Sequence, residues 1–222
     1  MTLTPTDPEP EESSVAIRDA ACVVVVDKTG GEARLLMGRR HANQIFLPDK
    51  WVFPGGRVDP IDEQTATSEH NSAPDVTAGL PDYLKPFARA AVRELREETG
   101  LSLHPNVAST DLATAPLLPL ARAITPPGRI RRYDTWFFMA QRQSFQDTLG
   151  STDDELLDLA WFAIGEARRL DIPNITRLVL EDATTWIAGE TPRFPKEIPF
   201  YYQDGQGFKR TMLACDQSAL PP

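Results

Sequence analysis

Arg93-Glu94-Leu95-Arg96-Glu97-Glu98-Thr99-Gly100-Leu101 is the stretch from which the rest of the chain is read. On a helical wheel of about 100° per residue, Glu97, Glu94 and Glu98 fall within one arc roughly 100° wide. Glu94 and Glu98 stand at i and i+4, where like charges repel. Gly100 reads as the C-terminal stop, which puts the acids near the negative end of the helix dipole. Both effects disfavour an empty helix. Both change sign when a divalent cation binds, because clusters of carboxylate oxygens suit Mg²⁺ or Mn²⁺. Taken alone, the run also fits a solvated helix face on which Arg93 pairs with Glu97.

Working outward, Pro86 suits the first turn of this helix. Phe87, Ala88, Ala91, Val92 and Leu95 form one apolar side, expected to face a core. Upstream, Trp51-Val52-Phe53 reads as a short strand ended by Pro54-Gly55-Gly56. Between them, residues 60–85 are polar and read as a long surface insertion. The apolar, β-branched run Ala20 to Val26 predicts a buried strand, followed by a turn over Asp27 to Gly31 and a hairpin partner over Ala33 to Arg39. Downstream, strands are expected at Asp134 to Ala140 and Leu159 to Ile164. Gly165 to Leu170 opens a helical region, Ile175 to Ala188 a helix, and Ile198 to Tyr202 with Gly207 to Leu213 a hairpin. Strands and helices alternate irregularly, so the expected fold is α/β (α+β), a mixed sheet between helices in an α/β/α sandwich. Residues 1–14 are rich in Pro, Glu, Ser and Thr and read as a disordered tail. Residues 15–215 then form a single domain, and 216–222 a C-terminal tail.

The 222 residues are 41% hydrophobic and 25% charged, globular values. A formal net charge of -9 with no basic stripe argues against nucleic acid or an anionic membrane as partner. An anionic substrate then needs a bound metal or local arginines. The two cysteines, Cys22 and Cys215, form neither a disulfide framework nor a zinc site, and a cytoplasmic setting is expected. The N-terminus has no signal-peptide pattern, and Ala20 to Val26 is too short to span a bilayer. His41, His70 and His104 share no ligand spacing. No Ser-His-Asp, Cys-His, P-loop or Rossmann pattern is present.

Strand, Pro-Gly-Gly loop and acidic helix together resemble the Nudix hydrolases. The family's box reads Gly, five residues, Glu, seven residues, Arg-Glu, an aliphatic, any residue, Glu-Glu, any residue, Gly and an aliphatic. Its C-terminal half matches from Arg93 through Leu101. Its N-terminal half does not: 36 residues separate Gly56 from Arg93, against 13 in the pattern, an excess of 23. A second register starts at Gly79 and places Lys85 where the glutamate belongs; it lacks a preceding strand. The resemblance thus implies a box interrupted by an insertion, as in a branch that includes coenzyme A diphosphatases.

By that resemblance, Glu97 and Glu98 are the main metal ligands, with Glu94 close by and the Gly56 carbonyl as an additional ligand. Mg²⁺ or Mn²⁺ is the implied cofactor. Arg93 steadies the loop and helix through an ion pair whose partner is open among Asp59, Asp62 and Glu63. Glu94 or Glu98, or a later acid such as Glu155, takes the proton of the attacking water. Arg39, Arg40, Arg129, Arg131 and Arg132 are candidates to hold substrate phosphates, or are plain surface arginines. Phe46, Trp51, Tyr133 and Trp136 are candidates to stack on a base, or simply pack. The implied activity is diphosphatase, cleaving a diphosphate linkage in a nucleoside diphosphate derivative, coenzyme A-like or dinucleotide. The alternative is a non-catalytic nucleotide-binding module of the same fold. A homodimer through the N-terminal strand and C-terminal hairpin is a further expectation.

Overall fold

A computed structural model describes residues 15–64, 76–77, 79–104, 116–146, 149–150, 155–189 and 194–215. The expected tails at 1–14 and 216–222 lie outside these residues, as does the middle of the 60–85 stretch. In chain order the elements are β1 (Ile17–Asp27), β2 (Arg34–Arg40), β3 (Trp51–Val52), β4 (Gly55–Arg57), α1 (Pro60–Glu63), α2 (Lys85–Thr99), β5 (Ser102–Leu103), β6 (Leu118–Ile124), β7 (Arg132–Gln141), β8 (Phe145–Gln146), β9 (Leu156–Ala163), α3 (Ile164–Ala167), α4 (Asn174–Ala188), β10 (Glu197–Asp204) and β11 (Gly207–Ala214).

The main sheet runs β11-β10-β6-β7-β1-β2-β3, with β4 added on β1 and β9 on β2. It is mixed. β1 runs parallel to β7, and β10 parallel to β6, while the other pairs are antiparallel. Side chains alternate across a strand, so β1 feeds two cores. Ala21, Val23 and Val25 join Trp136, Phe138 and Leu95 on the α2 side. Val24 and Val26 join Phe137, Met139, Val179 and Leu180 on the α4 side. This is the expected α/β/α sandwich.

The apolar side of α2 is buried as its periodicity requires, with Phe87, Ala88, Ala91 and Leu95 in the core. Gly100 caps it at φ 75°, donating to the Arg96 carbonyl at 2.9 Å. Within the 60–85 stretch the expected surface character is corrected. Val76, Leu80 and Leu84 are buried in the α2-side core, and Asp62 is 4% exposed. Among the described residues, no helix is long and apolar enough to cross a membrane.

The central strand β6 had no counterpart in the sequence reading, because Pro119 and Arg122 interrupt its apolar run. Pro119 is accommodated at an irregularity where the β6–β7 register shifts between Pro119 and Ala121. Arg122 is 3% exposed. Its Nε donates to Asp134 Oδ1 at 2.9 Å and its Nη2 to Oδ2 at 2.5 Å. The guanidinium carbon lies 4.8 Å from the Phe200 ring centre and 5.5 Å from that of Trp136. Trp136 in turn underlies Tyr83 and Phe87 at the start of α2. Removing one partner of such a pair strands the other charge. Arg122→Met is therefore expected to lower unfolding free energy by about 3–5 kcal/mol, and the double variant Arg122→Met/Asp134→Leu by much less. Urea unfolding of both checks this; equal losses would refute the stranded-charge account.

Candidate active site

Two glycines bring β4 against its neighbours more closely than any other residue permits. Gly55 has φ 152°, and a Cβ there would overlap the Ala21 carbonyl oxygen and lie 2.8 Å from Cys22 Sγ. At Gly56 a Cβ would overlap the Glu94 carboxylate. Helix α2 is drawn onto this turn by Glu98, which is 1% exposed and whose Oε2 accepts the Gly55 N–H at 2.7 Å.

The partner of Arg93 is Asp62. Arg93 Nη2 donates to Asp62 Oδ2 at 2.8 Å and Nε to Oδ1 at 3.2 Å, while Nη2 also reaches the Arg57 carbonyl at 3.0 Å. Asp59 lies farther off, at 3.7 Å. Asp62 Oδ2 also accepts the Asp59 N–H at 2.9 Å, which fastens the short helix α1. Lys85, the residue in the alternative register, pairs instead with Asp82 at 2.6 Å. The signal for Asp62 was present in the sequence. Counting forward from Gly56, five residues intervene before Asp62, the box's own spacing to its glutamate. The excess of 23 lies wholly between Asp62 and Arg93, where 30 residues replace seven. Counted backward from Arg93, the same place in the pattern falls on Lys85.

The third guanidinium nitrogen faces the acids. Arg93 Nη1 donates to Glu94 Oε1 at 2.9 Å and to Glu97 Oε2 at 3.1 Å. One positively charged N–H group thus stands between two carboxylates. Burial pushes the Glu94 carboxyl above the usual carboxylate range; Arg93 opposes that shift, and repulsion from Glu97 and Glu155 adds to it. Glu155 thus lies within electrostatic reach of Glu94. Cys22 lies beneath, its thiol pushed up to about 12 by burial first and then by Glu98, with Arg40 opposing. It stays a neutral thiol.

Among the described residues, no three His, Cys, Asp or Glu side chains converge as a preassembled metal centre. Glu94, Glu97, Glu98 and Gly56 are neighbours, but Glu98 is engaged with Gly55 and the other two acids with Arg93. The donor set nonetheless fits a hard cation. It is all oxygen, it carries excess negative charge, and a cationic nitrogen already bridges two of its members.

The candidate arginines are not gathered in one place. Arg39 is taken up by Asp158 at 2.6 Å and Asp49 at 3.4 Å. Arg40 bonds the Phe46 carbonyl at 3.0 Å and the Gln44 side chain, on the acid side of β2. Arg129 and Arg131 are exposed on the β6–β7 connection, and Arg132 is tied to the Thr125 carbonyl at 3.0 Å. Of the aromatic candidates, Trp136 is fully buried and Trp51 packs edge-on to Phe162. Phe46 and Tyr133 meet each other, half-buried, with ring centres 5.1 Å apart.

Comparison with known proteins adds family and fold. The family model for the NUDIX domain matches residues 16–183. Putative nudix hydrolase 7 of Caenorhabditis elegans is 38% identical over 84 residues, which are 38% of this chain. The match spans only 22% of that relative's length. A NUDIX hydrolase from Alicyclobacillus acidocaldarius superposes with a TM-score of 0.59 at 24% identity, covering 76% of this chain and 91% of its own. The NUDIX domain of Shewanella oneidensis NrtR, solved in complex with ADP ribose, superposes with a TM-score of 0.53 at 13% identity, covering 82% and 95%. At such identities the likeness is one of fold.

Two outcomes follow from the geometry. Asp62→Ala leaves Arg93 without its buried partner and is expected to cost about 3–5 kcal/mol in thermal or urea unfolding; a loss under about 1 kcal/mol would show that the pair is dispensable. For Glu94 the folded carboxyl sits above its unfolded value, so the folded state binds more protons. Its contribution is therefore most favourable at low pH and declines as pH rises from the unfolded value through the folded one. Metal-free Glu94→Gln should then unfold at a higher temperature than wild type at neutral pH, the gap closing on acidification; a lower melting temperature at pH 7 contradicts this.

Proposed function

The chain belongs to the Nudix family, and on that premise we propose that it is a Mg²⁺- or Mn²⁺-dependent diphosphatase acting on a nucleoside diphosphate derivative. The observation that supports this best is the box rejoined in space. Gly56, Asp62 and the Arg93–Leu101 run come together across a gap of 30 residues, with the Glu94 carboxylate lying on the Gly56 backbone. An interruption at this place is the feature shared with the branch that includes coenzyme A diphosphatases, which makes coenzyme A a substrate to test. The ADP ribose bound by the NrtR domain makes that compound another.

The residues that would hold the cation are Glu94, Glu97 and Glu98 with the Gly56 carbonyl. When bound, the cation neutralises diphosphate oxygens and acidifies water at the site. The chain's own groups do the rest. Arg93, fixed by Asp62, holds α2 at a set distance from the glycine turn. Glu98 holds the Gly55 N–H and so fixes the turn that leads into Gly56. Glu94 or Glu155 accepts the proton as water attacks one phosphorus in line, while the bridging oxygen breaks from that phosphorus and leaves with the other phosphate. Arg40, which bonds the Phe46 carbonyl and Gln44, is our candidate to meet a phosphate oxygen.

The test is hydrolysis of coenzyme A, NADH, ADP-ribose and dinucleoside polyphosphates with Mg²⁺ or Mn²⁺. Glu97→Gln/Glu98→Gln is expected to lower kcat by roughly 10³-fold or more; full turnover by that variant sinks the mechanism. A cation that binds only the native protein should also raise Tm, by about 2.7 kcal/mol of stabilisation at 100 times its Kd. Tight nucleotide binding without turnover at saturating Mn²⁺ favours the non-catalytic alternative.

A further inference from the structure

The strand that delivers Glu155 is kinked at one residue. In β9, Ala160 faces Met37 and Leu157 faces Arg39, so Asp158 and Leu159 together oppose the single residue Gly38. This is a β-bulge, two residues against one. Asp158 has φ 51°, a left-handed conformation that few residues besides Gly, Asn and Asp accept. Gly38 is shaped to the bulge from the other strand: a Cβ there would lie 2.9 Å from Leu156 Cδ1 and 3.0 Å from Leu159 Cδ2.

The bulge is held by an arginine. Arg39 Nε donates to Asp158 Oδ2 at 2.8 Å, and Nη2 lies 2.6 Å from the same oxygen. Nη1 of Arg39 lies 3.4 Å from Asp49, which has φ 57°. One guanidinium thus ties down two left-handed aspartates, one on β9 and one on the loop that carries Phe46. Because side chains alternate, losing one residue from the bulge shifts everything before it by one place and turns it to the opposite face. Leu156, 1% exposed, would leave the core, and Glu155 next to it would change face as well.

We infer that the Arg39–Asp158 lock on this bulge positions the Glu155 carboxylate, and that Arg39 is occupied in that role and not in binding phosphate. The inference rests on the proposed reading only in that Glu155 serves the reaction. The lock itself is a structural claim with its own readout. The ion pair is exposed, with side-chain exposures of 38% and 56%, so breaking it should disturb the site with little effect on global stability.

Four variants test it: Asp158→Val, which resists the left-handed backbone; Asp158→Gly, which accepts it; Arg39→Ala; and Glu155→Gln. The first readout needs no activity. The His41 N–H donates to the Glu155 carbonyl at 3.3 Å, so its amide exchange reports the start of β9. Exchange there should quicken roughly tenfold or more in Asp158→Val, be restored towards the wild-type rate in Asp158→Gly, and quicken in Arg39→Ala. An unchanged rate in Asp158→Val, or in Arg39→Ala should the valine variant not fold, overturns the lock whether or not the wild type hydrolyses any substrate. The second readout is kcat on whichever substrate is turned over. Asp158→Val should lose roughly tenfold or more with KM within about twofold, and should lose nothing further in the Glu155→Gln background. Losses that multiply mean that Asp158 does not act through Glu155, and overturn the inference.

Discussion

The contact on which the rest depends is the ion pair between Arg93 and Asp62. A carboxylate only 4% exposed, that of Asp62, is met by a guanidinium with two donors. The same guanidinium reaches the Arg57 carbonyl and the acids of its own helix, so one side chain joins β4, α1 and α2. With that distance set, the glycine turn has no room for a Cβ at either position, and Glu98 closes on the Gly55 N–H.

The sheet makes the space in which this happens. Along β1, Ala20 to Cys22 pair with β4, while Val26 and Asp27 pair with β2. The two neighbours on that side therefore diverge. Support for α2 comes from beneath. Trp136 packs under Tyr83 and Phe87, and the buried Arg122–Asp134 pair lies against Trp136. A charge in the core is costly unless it is matched, and here the match is an Asp on the adjacent strand together with two aromatic faces.

The site thus has parts of different stiffness. The helix and glycine turn are held by buried contacts. The Phe46 loop and the start of β9 are held by exposed ion pairs to Arg39 at two left-handed residues. Buried contacts of the first kind carry global stability. Exposed ones add little to it, so their effect is on where nearby groups point.

By itself the sequence determined α2, its apolar side, its glycine cap and its three acids, because helical periodicity and capping are local and act within a few residues. For the same reason it determined the β1–β2 hairpin, the terminal hairpin and the half-box from Arg93 to Leu101. Tertiary structure decided what local patterns do not encode. It chose Asp62 over Asp59 and Glu63 as the partner of Arg93, across 30 intervening residues. It placed β6 inside the sheet, between β10 and β7, despite Pro119 and Arg122, since a bulge admits the proline and Asp134 with two rings receives the charge. It paired Arg39 with Asp158, because a one-residue bulge in β9 changes which β9 side chains share a face. Pattern sets which residues lie on a common face; only the packed chain sets which charge meets which, because that depends on distances closed by folding.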